Sequence, residues 1–182
     1  EDGYRALDRC EGMWAFAMLD TEEESLTLCR DRFGEKPLYI LRDDGDVYFG
    51  SEVKFVQALA NRRLRPNLDH VQRYLVNGYK ALYKTPETFF AGLQEVPPGA
   101  VVRFDREGKR SDGRYWRPVF DNEDESLSFE DSVAGARDAL IQSVRLRLRA
   151  DVPIAFCLSG GVDSTALISI AKRVLGYDVH GF

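Results

Sequence analysis

The stretch that most limits how this chain can fold is Ser159-Gly160-Gly161-Val162-Asp163-Ser164, set directly after the apolar run 152–158. Those seven mostly apolar residues read as a buried strand. The segment 165–175 reads as a helix, with Leu167, Ile170, Ala171 and Val174 at helical spacing and Gly176 as its stop. A small, glycine-rich turn from strand to helix leaves backbone N–H groups unpaired and aimed at one place. The helix dipole adds to their preference for an anion, so the turn reads as a phosphate site. The hydroxyls of Ser159 and Ser164 can donate to phosphate oxygens. Asp163 is the odd member, because a carboxylate repels polyphosphate. It fits if Mg²⁺ lies between them, and it also fits as an acid favoured at a helix start.

The turn is not a Walker A loop, since no Gly-Lys-Ser/Thr follows, and it does not follow Gly-x-Gly-x-x-Gly. The chain has 182 residues, enough for one or two domains, with an ordinary 44% hydrophobic and 30% charged residues. A net charge of −5 gives no electrostatic support for a nucleic-acid partner. No apolar run is long enough for a membrane helix and no signal-peptide pattern is seen, so a cytoplasmic protein is expected. Cys10, Cys29 and Cys157 are widely spaced, which predicts buried, reduced thiols rather than disulfides or a zinc site. His70 and His180 have no companion pattern and read as structural.

The first part reads as antiparallel β: strands over 13–20, 25–31, 37–42 and 47–50, mostly suited to sheets covered on one face. Helices are predicted over 53–60 and 68–75, the latter capped by Asp69 and followed by apolar Val71, Leu75 and Val76. A Pro-Pro-Gly turn then leads to a strand over 100–104. The acidic segment 121–126 is the best linker candidate. Ser128-Phe129-Glu130-Asp131 resembles a capping box before a helix with the apolar stripe Val133, Ala136, Leu140, Val144 and Leu148. Helix, strand, phosphate turn, helix and a further strand over 179–182 begin an open, mostly parallel α/β sheet, whose ligands sit at the carboxyl ends of the strands.

Residues 159–164 resemble the SGGxDS pyrophosphate loop (PP-loop) of the ATP pyrophosphatases. Further stretches are similar, in order, to the glutamine-hydrolysing asparagine synthetases: Gly12-Met13-Trp14-Ala15-Phe16-Ala17, Arg30-Asp31-Arg32-Phe33-Gly34-Glu35-Lys36-Pro37-Leu38-Tyr39, Gly50-Ser51-Glu52-Val53-Lys54, Val96-Pro97-Pro98-Gly99, and Val152-Pro153 with the loop itself. The resemblance implies α+β followed by α/β. Residues 1–118 would be the C-terminal part of a glutaminase-type antiparallel αββα domain and 119–128 a linker. Residues 129–182 would start an open parallel α/β ATP-pyrophosphatase domain.

It also implies ATP and Mg²⁺, with Leu158, Ser159, Gly160, Gly161, Val162, Asp163 and Ser164 binding ATP and pyrophosphate, and Asp163 as the Mg²⁺ ligand. The substrates would be aspartate, glutamine and ATP, with no nucleic-acid or membrane partner; a homodimer is compatible with it. The family nucleophile is an N-terminal cysteine acting with its own α-amine, whereas this chain opens on Glu1. None of its cysteines fills that role, and no catalytic residue is assigned. The reading is therefore an internal piece of a larger enzyme, inactive and prone to self-association by itself. The 30–39 motif is read as equally suited to a bend or a functional role. A β-lactam synthetase-like amide-forming enzyme and a non-catalytic nucleotide-binding relative are the alternatives.

Overall fold

Successive side chains of a strand point to opposite faces, and in Tyr39–Asp43 both faces are buried. That strand organises the first part of the chain. A computed structural model describes residues 3–79, 82, 85–120 and 126–182. They form two compact units, residues 1–118 and 119–182.

In the first unit, β1 (Ala15–Asp20), β2 (Ser25–Arg30), β6 (Ala100–Phe104) and β7 (Arg110–Arg114) make an antiparallel sheet in the order β1-β2-β6-β7. A second antiparallel sheet runs β4 (Asp46–Gly50), β3 (Tyr39–Asp43), β5 (Leu93–Glu95). Ile40 of β3 joins Leu28, Val102 and Phe104 in a core between the sheets. Leu41, its neighbour, joins Leu93, Leu64 and Val56 in a second core on the far side. Val56 comes from α1 (Val53–Leu59), which covers that face. The layers are therefore sheet, sheet, helix. The one-face expectation fails for β3 because it is the shared central strand. Burying each such aliphatic side chain contributes roughly 1.5–3 kcal/mol.

Within the 30–39 motif, Arg30 and Asp31 form a buried strut. The Arg30 guanidinium donates to the carbonyls of Lys36 (2.8 Å), Val96 (2.7 Å) and Gly34 (2.6 Å), and pairs with Glu95 at 2.8 Å. Asp31 is 1% exposed. Its Oδ1 accepts from the amides of Phe33 (3.1 Å) and Glu35 (3.0 Å), and its Oδ2 from Lys36 (2.9 Å). Its own carbonyl accepts from Gly34 and Gly99. Burial alone would raise the Asp31 carboxyl; the amides of Lys36, Glu35 and Phe33 outweigh it and hold the pKa below the usual carboxylate value.

Gly99 turns the chain into β6 with φ +65°, and a Cβ there would sit 2.5 Å from the Trp116 carbonyl oxygen. Gly99→Ala is therefore expected to cost about 2–3 kcal/mol, from left-handed strain plus a backbone clash that no rotamer relieves. A shifted urea midpoint with unchanged slope would report it.

Several sequence expectations need correction. The cap of α2 (Leu68–Asn77) is Asn67, whose side chain accepts from the His70 amide at 3.2 Å, not Asp69. This helix buries His70, edge-on to Phe89 at 5.0 Å, and turns Leu75 and Val76 outward. Cys29 is buried, and burial pushes its thiol pKa up, but Cys10 and Cys157 are exposed. Strands β5 and β7 are additions.

In the second unit, α3 (Phe129–Arg147) is capped by Ser128, whose Oγ accepts from the Asp131 amide at 3.1 Å. Of its predicted stripe only Val144 is buried, where α3 packs on a π-helical turn, Ile170–Val174. Val133 and Leu140 are exposed. Residues 121–125, most of the predicted linker, lie outside the described residues, as does Glu1. The expected strand over 152–158 contracts to β8 (Ala155–Phe156) and that over 179–182 to β9 (His180–Gly181). The helix starts early, as α4 (Val162–Ser169), and passes into the π turn. No described helix is long and apolar enough to cross a membrane.

Candidate functional site

β8 and β9 are parallel, with Ala155 opposite His180 and Phe156 opposite Gly181. The pairing continues past β8: the Phe182 amide donates to Phe156 O at 3.0 Å and the Leu158 amide to Phe182 O at 2.8 Å. Leu158 packs beside Gly181, where an added Cβ would lie 2.9 Å from its Cδ1. The last residue before the turn is thus anchored by backbone and by side chain.

Ser159 follows, then Gly160 at φ +79° with open space where a side chain would project. Gly161 has ordinary extended angles (φ −78°, ψ 161°) and is the N-cap of α4, with no side chain to cap it. Its carbonyl accepts from Thr165 Oγ1 (2.8 Å), the Thr165 amide (3.2 Å) and Ser164 Oγ (3.2 Å). Ser159 Oγ and Ser164 Oγ lie 3.2 Å apart across the turn, and the Gly161 amide makes a long 3.4 Å bond to Ser159 Oγ. The amides of Gly160, Val162, Asp163 and Ser164 have no acceptor among the described residues. All of 157–163 is exposed. The turn therefore gathers four unpaired N–H donors and two hydroxyls at the carboxyl end of β8, an arrangement suited to an anion.

Asp163 is exposed in the first turn of α4. No three His, Cys, Asp or Glu side chains gather as a metal cage among the described residues. A lone carboxylate suits Mg²⁺, which keeps several waters and shares oxygens with substrate phosphates. The seven residues singled out in the sequence, 158–164, are contiguous here: Leu158 closes the strand side, and 159–164 form the turn and the start of α4. The contribution of Thr165 was missed; a hydroxyl four residues after the N-cap was its only signal. His70 and His180 fall in no cluster with it: His70 belongs to the other unit, and His180 faces Asp178 at 4.0 Å.

Comparison with known proteins bears on both units. The family model described as "Glutamine amidotransferase domain" matches residues 1–116, and that described as "Asparagine synthase" matches 135–182. Asparagine synthetase [glutamine-hydrolyzing] 3 of Bacillus subtilis is 33% identical over 166 residues, covering 91% of this chain and 26% of that protein. Asparagine synthetase [glutamine-hydrolyzing] 1 of the same organism is 30% identical, over 97% of this chain and 28% of that protein. An amidase of Gibberella zeae, chry2, is 30% identical over 95% of this chain and 25% of that protein. The chain thus spans about a quarter of the length of these curated relatives. With the amidotransferase model matching its first 116 residues, the chain belongs to the glutamine amidotransferase domain family, and its segment from 135 onward is similar to asparagine synthase.

Proposed function

We propose that the protein carrying this chain makes asparagine from aspartate, ATP and glutamine-derived ammonia, and that residues 158–164 hold the phosphate end of ATP. The observation that carries the reading is the set of four amides without acceptors in the Ser159–Ser164 turn, inside the segment matched to asparagine synthase. Residues 1–118 are read as the C-terminal part of a glutaminase-type αββα domain, supported by two antiparallel sheets and a covering helix. Residues 129–182 are read as the start of a parallel ATP-pyrophosphatase sheet, supported by the parallel β8–β9 pair and joined through 119–128. Glutaminase chemistry is assigned to no residue of this chain, and the protein is placed in the cytoplasm.

A carboxylate is a weak electrophile and its oxygen a poor leaving group. In the proposed reaction a β-carboxylate oxygen of aspartate bonds to the α-phosphorus of ATP, and the bond to the bridging oxygen breaks as pyrophosphate leaves. Ammonia then attacks the acyl carbon and AMP departs. Negative charge accumulates on the pyrophosphate. The amides of Gly160, Val162, Asp163 and Ser164 and the hydroxyls of Ser159 and Ser164 are the donors to receive it. Leu158 supports the nucleotide beside them. Asp163 is the residue that would hold Mg²⁺, whose charge would offset that of the phosphates.

The test is product analysis with the full-length protein, aspartate, ATP and either glutamine or ammonium. AMP, pyrophosphate and asparagine in equal amounts are expected; ADP and phosphate, or turnover independent of aspartate, would refute the reading. A second reading, an amide-forming enzyme with a different carboxylate acceptor, would use the same turn with its open amides. Pyrophosphate release across a panel of carboxylic acids separates the two. Nucleotide binding without turnover would mark a non-catalytic relative.

A further inference from the structure

We infer that Thr165 is a positioning residue for the anion turn, acting through the Gly161 carbonyl without touching the ligand; the inference rests on the nucleotide reading above. A residue that caps a helix with its side chain consumes the amides of the first turn. Gly161 at the N-cap consumes none, which leaves those of Asp163 and Ser164 open. The same choice leaves the start of an eight-residue helix without a cap. Thr165 supplies the missing restraint from inside the helix, with its hydroxyl at 2.8 Å and its amide at 3.2 Å on Gly161 O.

The restraint has a direction. In a planar trans peptide the carbonyl of one residue and the N–H of the next point opposite ways. Holding Gly161 O toward Thr165 therefore aims the Val162 amide the opposite way, out of the N-terminal end of α4. Ser164 Oγ also donates to Gly161 O, at 3.2 Å, but it lies 3.2 Å from Ser159 Oγ and belongs to the pair that faces an incoming anion. When that hydroxyl turns to a phosphate oxygen, the two donors of Thr165 alone hold the carbonyl. The division of labour is that Ser159 and Ser164 bind, while Thr165 keeps the peptide between them oriented.

The test compares Thr165→Val and Thr165→Ser in the full-length protein, reading inorganic pyrophosphate binding by calorimetry and the KM for ATP and for the carboxylate. Thr165→Val is expected to weaken pyrophosphate binding and raise the ATP KM about fivefold. The carboxylate KM should stay unchanged, with Tm within about 2 °C of the parent. Thr165→Ser, which keeps the hydroxyl, should restore binding to within about twofold. Equal binding by the valine variant and the parent would overturn the inference alone. So would a serine variant as weak as valine, or a Tm loss with both KM values moving together. Failure of the parent protein to bind pyrophosphate would overturn the nucleotide reading and this inference with it.

Discussion

Gly160→Val is expected to lower ATP-dependent pyrophosphate release by the full-length protein at least about a hundredfold while leaving its stability almost unchanged. The backbone at Gly160 sits at φ +79°, a region that costs an L residue about 1–2 kcal/mol, and a β-branched one more. Nothing lies within 4 Å of the added Cβ, so no packing opposes a local flip. The chain escapes the strain by re-aiming the peptides on either side, which swings the Gly160 amide out of the cradle and takes the Gly161 amide off Ser159 Oγ, so that this hydroxyl is no longer positioned. Two hydrogen bonds to a charged acceptor, at roughly 1.5–3 kcal/mol each, account for a loss of that size. Gly161 is the contrast: its φ of −78° suits any residue, and a Cβ there meets only Ser159 Oγ at 3.4 Å. Gly161→Ala should therefore cost much less than Gly160→Val. Steady-state kinetics in ATP for the two variants makes the comparison. A Gly160→Val enzyme with the parent's KM and kcat would remove the turn from the reaction.

Asp31→Ala is expected to destabilise the first unit by about 3–5 kcal/mol, lowering its Tm by about 10 °C or more. Three backbone donors, from Phe33, Glu35 and Lys36, lose their acceptor together. The bend they define also sets the carbonyls of Gly34 and Lys36 that Arg30 grips. The substitution carries a pH signature as well. The Asp31 carboxyl is held below its ordinary value in the folded state, so the folded form binds the proton less readily than the unfolded chain. Its contribution is complete above the unfolded value near 4 and is lost as pH falls through the lower folded value. The parent should lose stability as pH falls below about 5 and on through the lower folded value, and the alanine variant should show a shallower decline there. Urea titrations at a series of pH values measure both slopes; parallel curves would assign the acid sensitivity to other carboxylates.

Legibility followed the kind of signal each segment carried. The strand over 100–104 was readable because Ala100, Val101, Val102 and Phe104 are apolar and buried on both faces. The Ser128 cap was readable because its chemistry is local. Strand β7, Arg-Ser-Asp-Gly-Arg, has no apolar pattern and is a strand only because β6 offers it an edge. Asn67 displaced Asp69 as a cap because the geometry of one amide, that of His70, decides between two plausible acceptors. The glycine pair and two serines made the strand-to-helix turn visible in the sequence. Which glycine needs its left-handed angle, and that Thr165 secures the carbonyl, depend on backbone direction, which residue identities do not encode.

The antiparallel join of β2 to β6 links residues more than seventy positions apart, Cys29 with Val101 and Leu26 with Phe104. Each flanking hairpin closes over only a few residues and needs microseconds; the join must wait for a long loop to close. During synthesis the β1–β2 hairpin therefore leaves the ribosome seconds before its partner strand exists. For that interval one side of β2, with its row of free peptide groups, is open to any neighbouring nascent chain, so crowded translation is where this fold is most exposed to mispairing.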